Sequence, residues 1–448
     1  MNSEYTILNK KNILKPNQIL VLSFLFLILL GTYLLYLPLA SAREGSIKWI
    51  DALFTATSAT CVTGLIVLDT GSDFSLFGQW IILILFQVGG LGIMTFSTMF
   101  AFLLGKKISL RQRLIIQESL NQFSIGGLVR LAKYIFLFTL FFEGLGTIFL
   151  YLNWSQTESQ HSSLFLSFFH SVSAFCNAGF SLFSNSLEQF TSHFGVNIIF
   201  IILIVFGGIG FLVIVEIFEF PKRKRLSLHS KIVLIMTVIL IVMGAVVIFF
   251  LENQNANTLQ TYSVKEKVLS AVFQSTTART AGFNTIPIGQ MSNAALLLLI
   301  NLMFIGASPT STGGGIKTTT FCLSLLRMYY FLKGKKHVYL YQRQVSEDIM
   351  NRAWVILMLS ISWTMLMTLL LSYFEKYDFI KIFFEVISAF GTVGLSTGIT
   401  GSLSLPGKII IILTMFVGRL GPLTLALTLI SNRHEESIQY PEDHVMVG

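Results

Sequence analysis

Ser388-Ala389-Phe390-Gly391-Thr392-Val393-Gly394-Leu395 recurs, with variation, three more times along this chain. Its counterparts are Ser58-Ala59-Thr60-Cys61-Val62-Thr63-Gly64-Leu65, Ser173-Ala174-Phe175-Cys176-Asn177-Ala178-Gly179-Phe180 and Thr277-Ala278-Arg279-Thr280-Ala281-Gly282-Phe283-Asn284. Ten positions before the last glycine of each copy stand Phe54, Phe169, Val272 and Phe384; six before stand Ser58, Ser173, Thr276 and Ser388. Self-similarity of this kind comes before any local assignment. Each copy is a short polar, glycine-bearing stretch inside greasy sequence.

The surroundings are those of a bilayer protein. Of 448 residues, 53% are hydrophobic and only 12% charged, which excludes an ordinary soluble domain. Apolar runs long enough to span lie near 18–39, 80–104, 129–153, 196–218, 230–251, 293–306 continuing to 316–332, 352–373 and 407–430. Between the members of each pair are apolar stretches too short to cross, near 50–60, 164–176, 267–278 and 380–391. The expected fold is all-α, with eight transmembrane helices in four tandem helix–pore-loop–helix repeats around a pseudo-fourfold pore. The divisions are 1–16 (cytoplasmic tail), 17–113, 114–227, 228–345 and 346–432 (repeats one to four) and 433–448 (cytoplasmic tail).

The net charge of +9 does not indicate nucleic acid. The basic residues cluster in loops that close repeats: Lys106, Lys107, Arg111 and Arg113; Lys222, Arg223, Lys224 and Arg225; Lys333, Lys335, Lys336 and Arg343; with Lys10, Lys11 and Lys15 in the amino-terminal tail. By the positive-inside rule these face the cytoplasm, which places both termini inside and opens the four glycine segments outward. Ala40-Ser41-Ala42 imitates a signal-peptidase site, but the apolar run before it exceeds the ~7–15 residues of a signal h-region, so the run reads as a retained first helix. Cys61, Cys176 and Cys322 are too few and scattered for a disulfide framework or a metal site.

The short helices carry the functional argument. A helix that stops halfway through a bilayer leaves carbonyls unpaired at its carboxyl end, tolerable only beside a cavity. Four such ends aimed at one axis put partial negative charge where a cation would sit. The loop that follows, such as Cys61-Val62-Thr63-Gly64, can turn its own carbonyls inward, with glycine where other residues are barred. One loop alone would be a packed re-entrant break; four aligned copies argue for carbonyls around a dehydrated cation. A second mark, Gly89-Gly90-Leu91-Gly92, Gly207-Gly208-Ile209-Gly210 and Gly418-Arg419-Leu420-Gly421, reads as close helix packing or as a bend.

The four segments together resemble the selectivity-filter quarters of the Ktr/Trk/HKT superfamily of potassium transporters. The likeness covers nearly the whole chain. Its length and the tail Tyr440-Pro441-Glu442-Asp443 make it most similar to the membrane subunit of bacterial Ktr systems. The resemblance implies a filter from the backbone of Cys61, Val62, Thr63 and Gly64; Cys176, Asn177, Ala178 and Gly179; Arg279, Thr280, Ala281 and Gly282; and Gly391, Thr392, Val393 and Gly394. It implies that the stretch from Gly306 through Ser308, Thr310, Ser311, Thr312, Gly313, Gly314 and Gly315 to Lys317 is an intramembrane gating loop, contacted by Arg419 from the last helix. It further implies a homodimer in the cell membrane and a cytosolic ring of nucleotide-binding (RCK/KTN-type) subunits. By the same resemblance the transported ion would be potassium, and no cofactor is expected on this chain. Some filters of the family have serine at the first glycine, which goes with sodium preference; Gly64 favours potassium.

On their own chemistry, small polar residues and glycines interrupting the third repeat's second helix need a water-lined or protein-packed site. Arg419 and Lys317 are ionisable residues in apolar sequence, which are costly and usually functional. Glu385 is a candidate partner for Arg279. Glu143 reads as a helix–helix hydrogen-bonding group, and His170 as a satisfied residue of the second short helix. No HExxH, paired CxxC, P-loop or nucleophile elbow is present, so an enzyme is disfavoured and the nucleotide is expected only on the partner. The rivals are a sodium-conducting relative and a secondary transporter with broken helices, which would show two inverted repeats rather than four alike.

Overall fold

Long apolar runs without an amphipathic stripe form the first helix of every repeat. These are α1 (Pro16–Tyr36), α4 (Leu128–Trp154), α8 (Leu228–Glu252) and α12 (Glu347–Phe374). The computed structural model describes residues 16–43, 45–93, 96, 128–155, 164–429 and 446. At 1.5 Å per residue each helix reaches across a hydrocarbon core of about 30 Å, and these four are long and apolar enough to cross a membrane. They expose large apolar side chains such as Phe26, Phe250 and Leu369, a surface suited to lipid rather than water.

Each long helix leads into a short buried one: α2 (Trp49–Thr60), α5 (Leu164–Phe175), α9 (Val264–Thr277) and α13 (Phe379–Gly391). A polar loop follows, and then an inner helix: α3 (Leu76–Leu91), α6 (Phe194–Gly208), α10 (Asn293–Phe304) and α14 (Leu405–Leu420). Serines cap three of these, Ser75, Ser292 and Ser404 accepting from the amides of Gly78, Ala295 and Gly407, which satisfies orphan donors of the first turn.

The apolar runs near 80–104, 196–218 and 407–430 take the bend that the glycine motif allowed. Each is broken at a glycine of positive φ: Gly92 at 81°, Gly210 at 94° and Gly421 at 85°. Positive φ takes the chain out of the right-handed helix, which glycine does without steric cost, and Pro422 then suits the first position of a new one. After Gly210 the chain resumes as α7 (Phe211–Arg223), bent 99° from α6; after Gly421 it resumes as α15 (Pro422–Leu429). In the third repeat a polar loop separates α10 from α11 (Thr318–Leu332). The other glycines of the motif serve close approach. A β-carbon on Gly89, Gly207 or Gly418 would collide with the carbonyl of Thr60, Phe175 or Phe390, the end of the short helix of the same repeat. The motif is thus both a packing contact and a bend.

Buried acids tie long helices to inner ones. Glu252 accepts at Oε1 from the Ser292 amide (3.0 Å) and hydroxyl (2.7 Å), and at Oε2 from Thr258 Oγ1 (2.6 Å) and Asn255 Nδ2 (2.7 Å). Glu375 does the same for the Ser404 amide (2.8 Å) and hydroxyl (2.6 Å). A carboxylate there also suits the positive end of the helix dipole. Glu252→Ala leaves buried donors unmet and is expected to cost about 3 kcal/mol, read as a fall of several degrees in the thermal midpoint of detergent-purified protein. Asp51 and Lys408, 2.7 Å apart and largely buried, join the first repeat to the fourth. On the basic side, β1 (Tyr339–Leu340) and β2 (Arg343–Gln344) form a small hairpin. Lys10, Lys11, Lys15, Glu44, Lys106, Lys107, Arg111, Arg113, Glu158 and the tail from Tyr440 to Asp443 lie outside the described residues.

Candidate ion site

The four repeated loops meet. A β-carbon built on Gly64 would lie 2.9 Å from Cα of Gly179; one on Gly179, 3.1 Å from Cα of Gly282; one on Gly282, 3.3 Å from Cα of Gly394; one on Gly394, 3.0 Å from Cα of Gly64. The circle closes in chain order. The same β-carbons would press on the carbonyls of Ala178, Ala281, Val393 and Thr63, each belonging to the residue before the neighbouring glycine. No side chain fits at these positions, which accounts for the four glycines.

Backbone hand repeats as well. The glycines have φ of 85°, 71°, 79° and 91°, and two residues earlier Val62, Asn177, Thr280 and Thr392 have φ of 59°, 56°, 77° and 49°. Non-glycine residues rarely adopt this region, and such strain clusters at functional sites. Left-handed residues alternating with ordinary ones turn successive peptides the same way, whereas an extended strand alternates them. Amides at the loop bases fold back onto the short helices: Thr63 to Ser58 O, Ala178 to Ser173 O and Val393 to Ser388 O at 2.8–2.9 Å, and Ala281 to Thr277 O at 2.9 Å.

Packing holds the ring from outside. Phe54, Phe169 and Phe384 are wholly buried, as are Phe180 and Phe283 just after their glycines. The serine six before the glycine works in two quarters: Ser173 Oγ donates to Phe180 O (2.8 Å), and Ser388 Oγ accepts from the Gly394 amide (3.1 Å). His170 is satisfied: Nδ1 sits 2.9 Å from Leu166 O and so donates, while Nε2 accepts from the Leu182 amide (3.3 Å).

The suggested pairing of Arg279 with Glu385 does not form. Glu385 is taken up by the segment after the fourth glycine, accepting from Ser396 Oγ (2.6 Å), the Thr397 amide (2.9 Å) and Thr400 Oγ1 (2.7 Å). Arg279 is buried, and its Nε meets no partner among the described residues.

Against the ring lies the polar loop of the third repeat. A β-carbon on Gly313 would strike Thr280 Oγ1; one on Gly314 would lie 2.5 Å from Thr392 Oγ1; and Gly315, at φ 67°, sits against Gly391. The Gly314 amide donates to Thr392 Oγ1 (2.9 Å). The Ser308 amide donates to Gly208 O (3.0 Å), and the Phe211 amide to Thr310 O (3.0 Å). Thr312 Oγ1 donates to Gly207 O (3.1 Å), Ser311 Oγ to Ser308 O (2.6 Å), and Ser308 and Thr318 share a hydroxyl contact of 2.9 Å. Gly306 pairs closely with Gly314 and Gly315 across the loop's neck. Two cations hold this segment: Lys317 Nζ donates to Gly313 O (2.7 Å), and Arg419 donates to Thr312 O and to Gly89 O, with a further bond to Gly90 O at 3.2 Å. Of the carbonyls that receive Arg419, that of Thr312 lies in the loop the resemblance named as its contact, while those of Gly89 and Gly90 had no mark beyond the glycine motif itself.

Among the described residues no group of three or more His, Cys, Asp or Glu is placed to hold a metal. A cation at the ring would meet backbone oxygens instead, the chemistry of carbonyl filters.

The family profile described as TrkH, cation transport protein, matches residues 6–439. Ktr system potassium uptake protein B of Vibrio alginolyticus is 43% identical over 96% of this chain and 94% of its own length. The protein of the same description from Bacillus subtilis is 40% identical over 97% of each. Potassium/sodium uptake protein NtpJ of Enterococcus hirae is 38% identical over 97% of this chain and 98% of that protein. Among solved structures, the potassium transporter TrkH from Vibrio parahaemolyticus superposes with a TM-score of 0.75 at 20% identity, covering 95% of this chain and 86% of that one.

Proposed function

The chain belongs to the TrkH family of cation transport proteins, ion carriers rather than enzymes, and on that premise we propose that it takes up potassium across the cell membrane. In this reading the ion passes through the ring of Gly64, Gly179, Gly282 and Gly394, stripped of water and held by loop carbonyls. The four repeats surround one pseudo-fourfold pore, the broken inner helices lining its lower half. The closed ring of glycines, with left-handed Val62, Asn177, Thr280 and Thr392 two residues before them, carries the proposal, because strain at non-glycine residues is retained where backbone must face a ligand.

The loop from Gly306 to Lys317 is the gate, held shut by Arg419. The basic loops face the cytoplasm, both termini are inside, and a second copy completes a homodimer. A cytosolic ring of nucleotide-binding subunits drives the gate, so the nucleotide belongs to that partner and this chain carries no cofactor. Support for a Ktr-type partnership comes from the relatives described as Ktr system proteins. The potassium/sodium relative keeps a sodium-assisted mode in view; reversal potentials in mixed potassium and sodium salts separate it from sodium conduction.

Expression in cells deficient in potassium uptake tests the reading. Growth at low external potassium is expected, stronger with a cytosolic partner than without. A reconstituted protein that passes no monovalent cation, with the partner present, refutes it.

A further inference from the structure

Glu143 lies in the middle of the span Leu131–Trp154 and is only 5% exposed. An ionisable group at that depth is costly and calls for a reason. The repeats show that it is an exception. Gly31, Gly146 and Gly244 lean on Ala56, Ser171 and Ser275 of their short helices; three positions before those glycines stand Ile28, Glu143 and Ile241. Two repeats keep an apolar residue where the second has a carboxyl group.

The carboxyl group is used. Gln87 Nε2, on α3, donates to Glu143 Oε1 (3.0 Å) and Oε2 (3.1 Å). This turns the amide so that Gln87 Oε1 accepts from Cys176 Sγ at 3.0 Å. With the amide nitrogen of Gln87 facing both Glu143 oxygens, its amide oxygen is left to accept from the thiol. Reversing Gln87 would put its carbonyl against the carboxylate. Cys176 is the first residue past α5, at the base of the second loop of the ring, and its sulfur also packs on Gly90. From the same turn of α4, Ser171 Oγ is held at 2.7 Å by the Glu143 carbonyl. One turn of a membrane-spanning helix thus holds both the second short helix and the loop that leaves it.

We propose that Glu143 is a positioning residue for ion selection: through Gln87 it fixes the Cys176 thiol, and with it the second loop, at the radius that suits a dehydrated potassium ion. This rests on the reading of the ring as the ion path.

The test measures potassium and sodium flux in vesicles reconstituted with wild type, Glu143→Ala, Cys176→Ser, Cys176→Ala and the exchange Gln87→Glu/Glu143→Gln. Glu143→Ala and Cys176→Ala are expected to lower the preference for potassium over sodium about tenfold, equivalent to ~1.4 kcal/mol, and to raise KM more than they lower the maximal rate. Cys176→Ser keeps a donor to Gln87 and is expected to retain several-fold more of the preference than Cys176→Ala. The exchange keeps donor facing acceptor and is expected to restore most of the preference. Cys176→Ala and Cys176→Ser with the same ion preference overturn the proposal, and this pair decides it even where Glu143→Ala fails to fold. A wild type without potassium flux would instead sink the functional reading; a conducting wild type with indistinguishable Cys176 variants sinks this inference alone.

Discussion

Gly394→Ala is expected to reduce potassium uptake at limiting potassium by about a hundredfold, equivalent to ~3 kcal/mol. Two neighbouring glycines separate the causes. Gly401 has no positive φ, and a β-carbon there would find its nearest neighbour 3.9 Å away. Gly398 has φ of 96° but open space around it, so alanine there meets strain without crowding. Gly394 has φ of 91°, and its β-carbon would press on the Thr63 carbonyl and on Cα of Gly64. Those are backbone atoms and cannot rotate aside. The series Gly401→Ala, Gly398→Ala and Gly394→Ala should therefore give wild-type behaviour, then a stability loss of ~1–2 kcal/mol with transport kept, then loss of transport. Rubidium or potassium uptake together with thermal midpoints reads both effects. Transport by Gly394→Ala equal to that of Gly398→Ala would remove the ring from the ion path.

How far the chain could be read from its residues depends on what each position must do. The ring positions were legible because Gly64, Gly179, Gly282 and Gly394 admit no β-carbon, so their spacing carries the geometry. The long helices were legible because a span must be apolar throughout. Breaks at Gly92, Gly210 and Gly421 were legible only as an alternative: the glycine motif allowed a bend beside close packing, and an apolar run has the same composition straight or bent. Arg279 and Glu385 are complementary in charge, yet the pairing failed: Ser396, Thr397 and Thr400 occupy the carboxylate first. Glu143 was read as a helix–helix hydrogen bond, and that bond goes to Gln87; that the chain continues to Cys176 depends on a rotamer no pattern encodes. Arg419 stood out as a buried charge directed at the polar loop, where it meets Thr312 O, but its bonds to Gly89 and Gly90 go to main-chain carbonyls, which every residue possesses.

Arg419→Gln is expected to raise potassium flux in the absence of the cytosolic partner by at least about tenfold. The guanidinium spans two repeats at once, donating to Thr312 of the polar loop and to Gly89 and Gly90 of the first repeat's inner helix. Hydrogen bonds from a charged donor contribute roughly 1.5–3 kcal/mol each, so one side chain supplies a large part of what keeps the loop against the ring. The other ties from the loop to its neighbours, among them Gly314 amide to Thr392, Thr312 Oγ1 to Gly207, Ser308 amide to Gly208 and Phe211 amide to Thr310, are hydrogen bonds between uncharged groups. Two mechanisms predict higher flux: loss of a tether, and loss of a positive charge that repels the permeating ion. Arg419→Lys separates them, because lysine keeps the charge but not the planar fork that reaches several acceptors. Tethering predicts that Arg419→Lys shows most of the rise seen with Arg419→Gln, whereas repulsion predicts that it stays at wild-type flux. Unchanged basal flux in both variants, at wild-type levels in the membrane, would mean that the loop does not gate the path. The fork geometry favours the tether, since a charge meant only to repel would need one acceptor and not three.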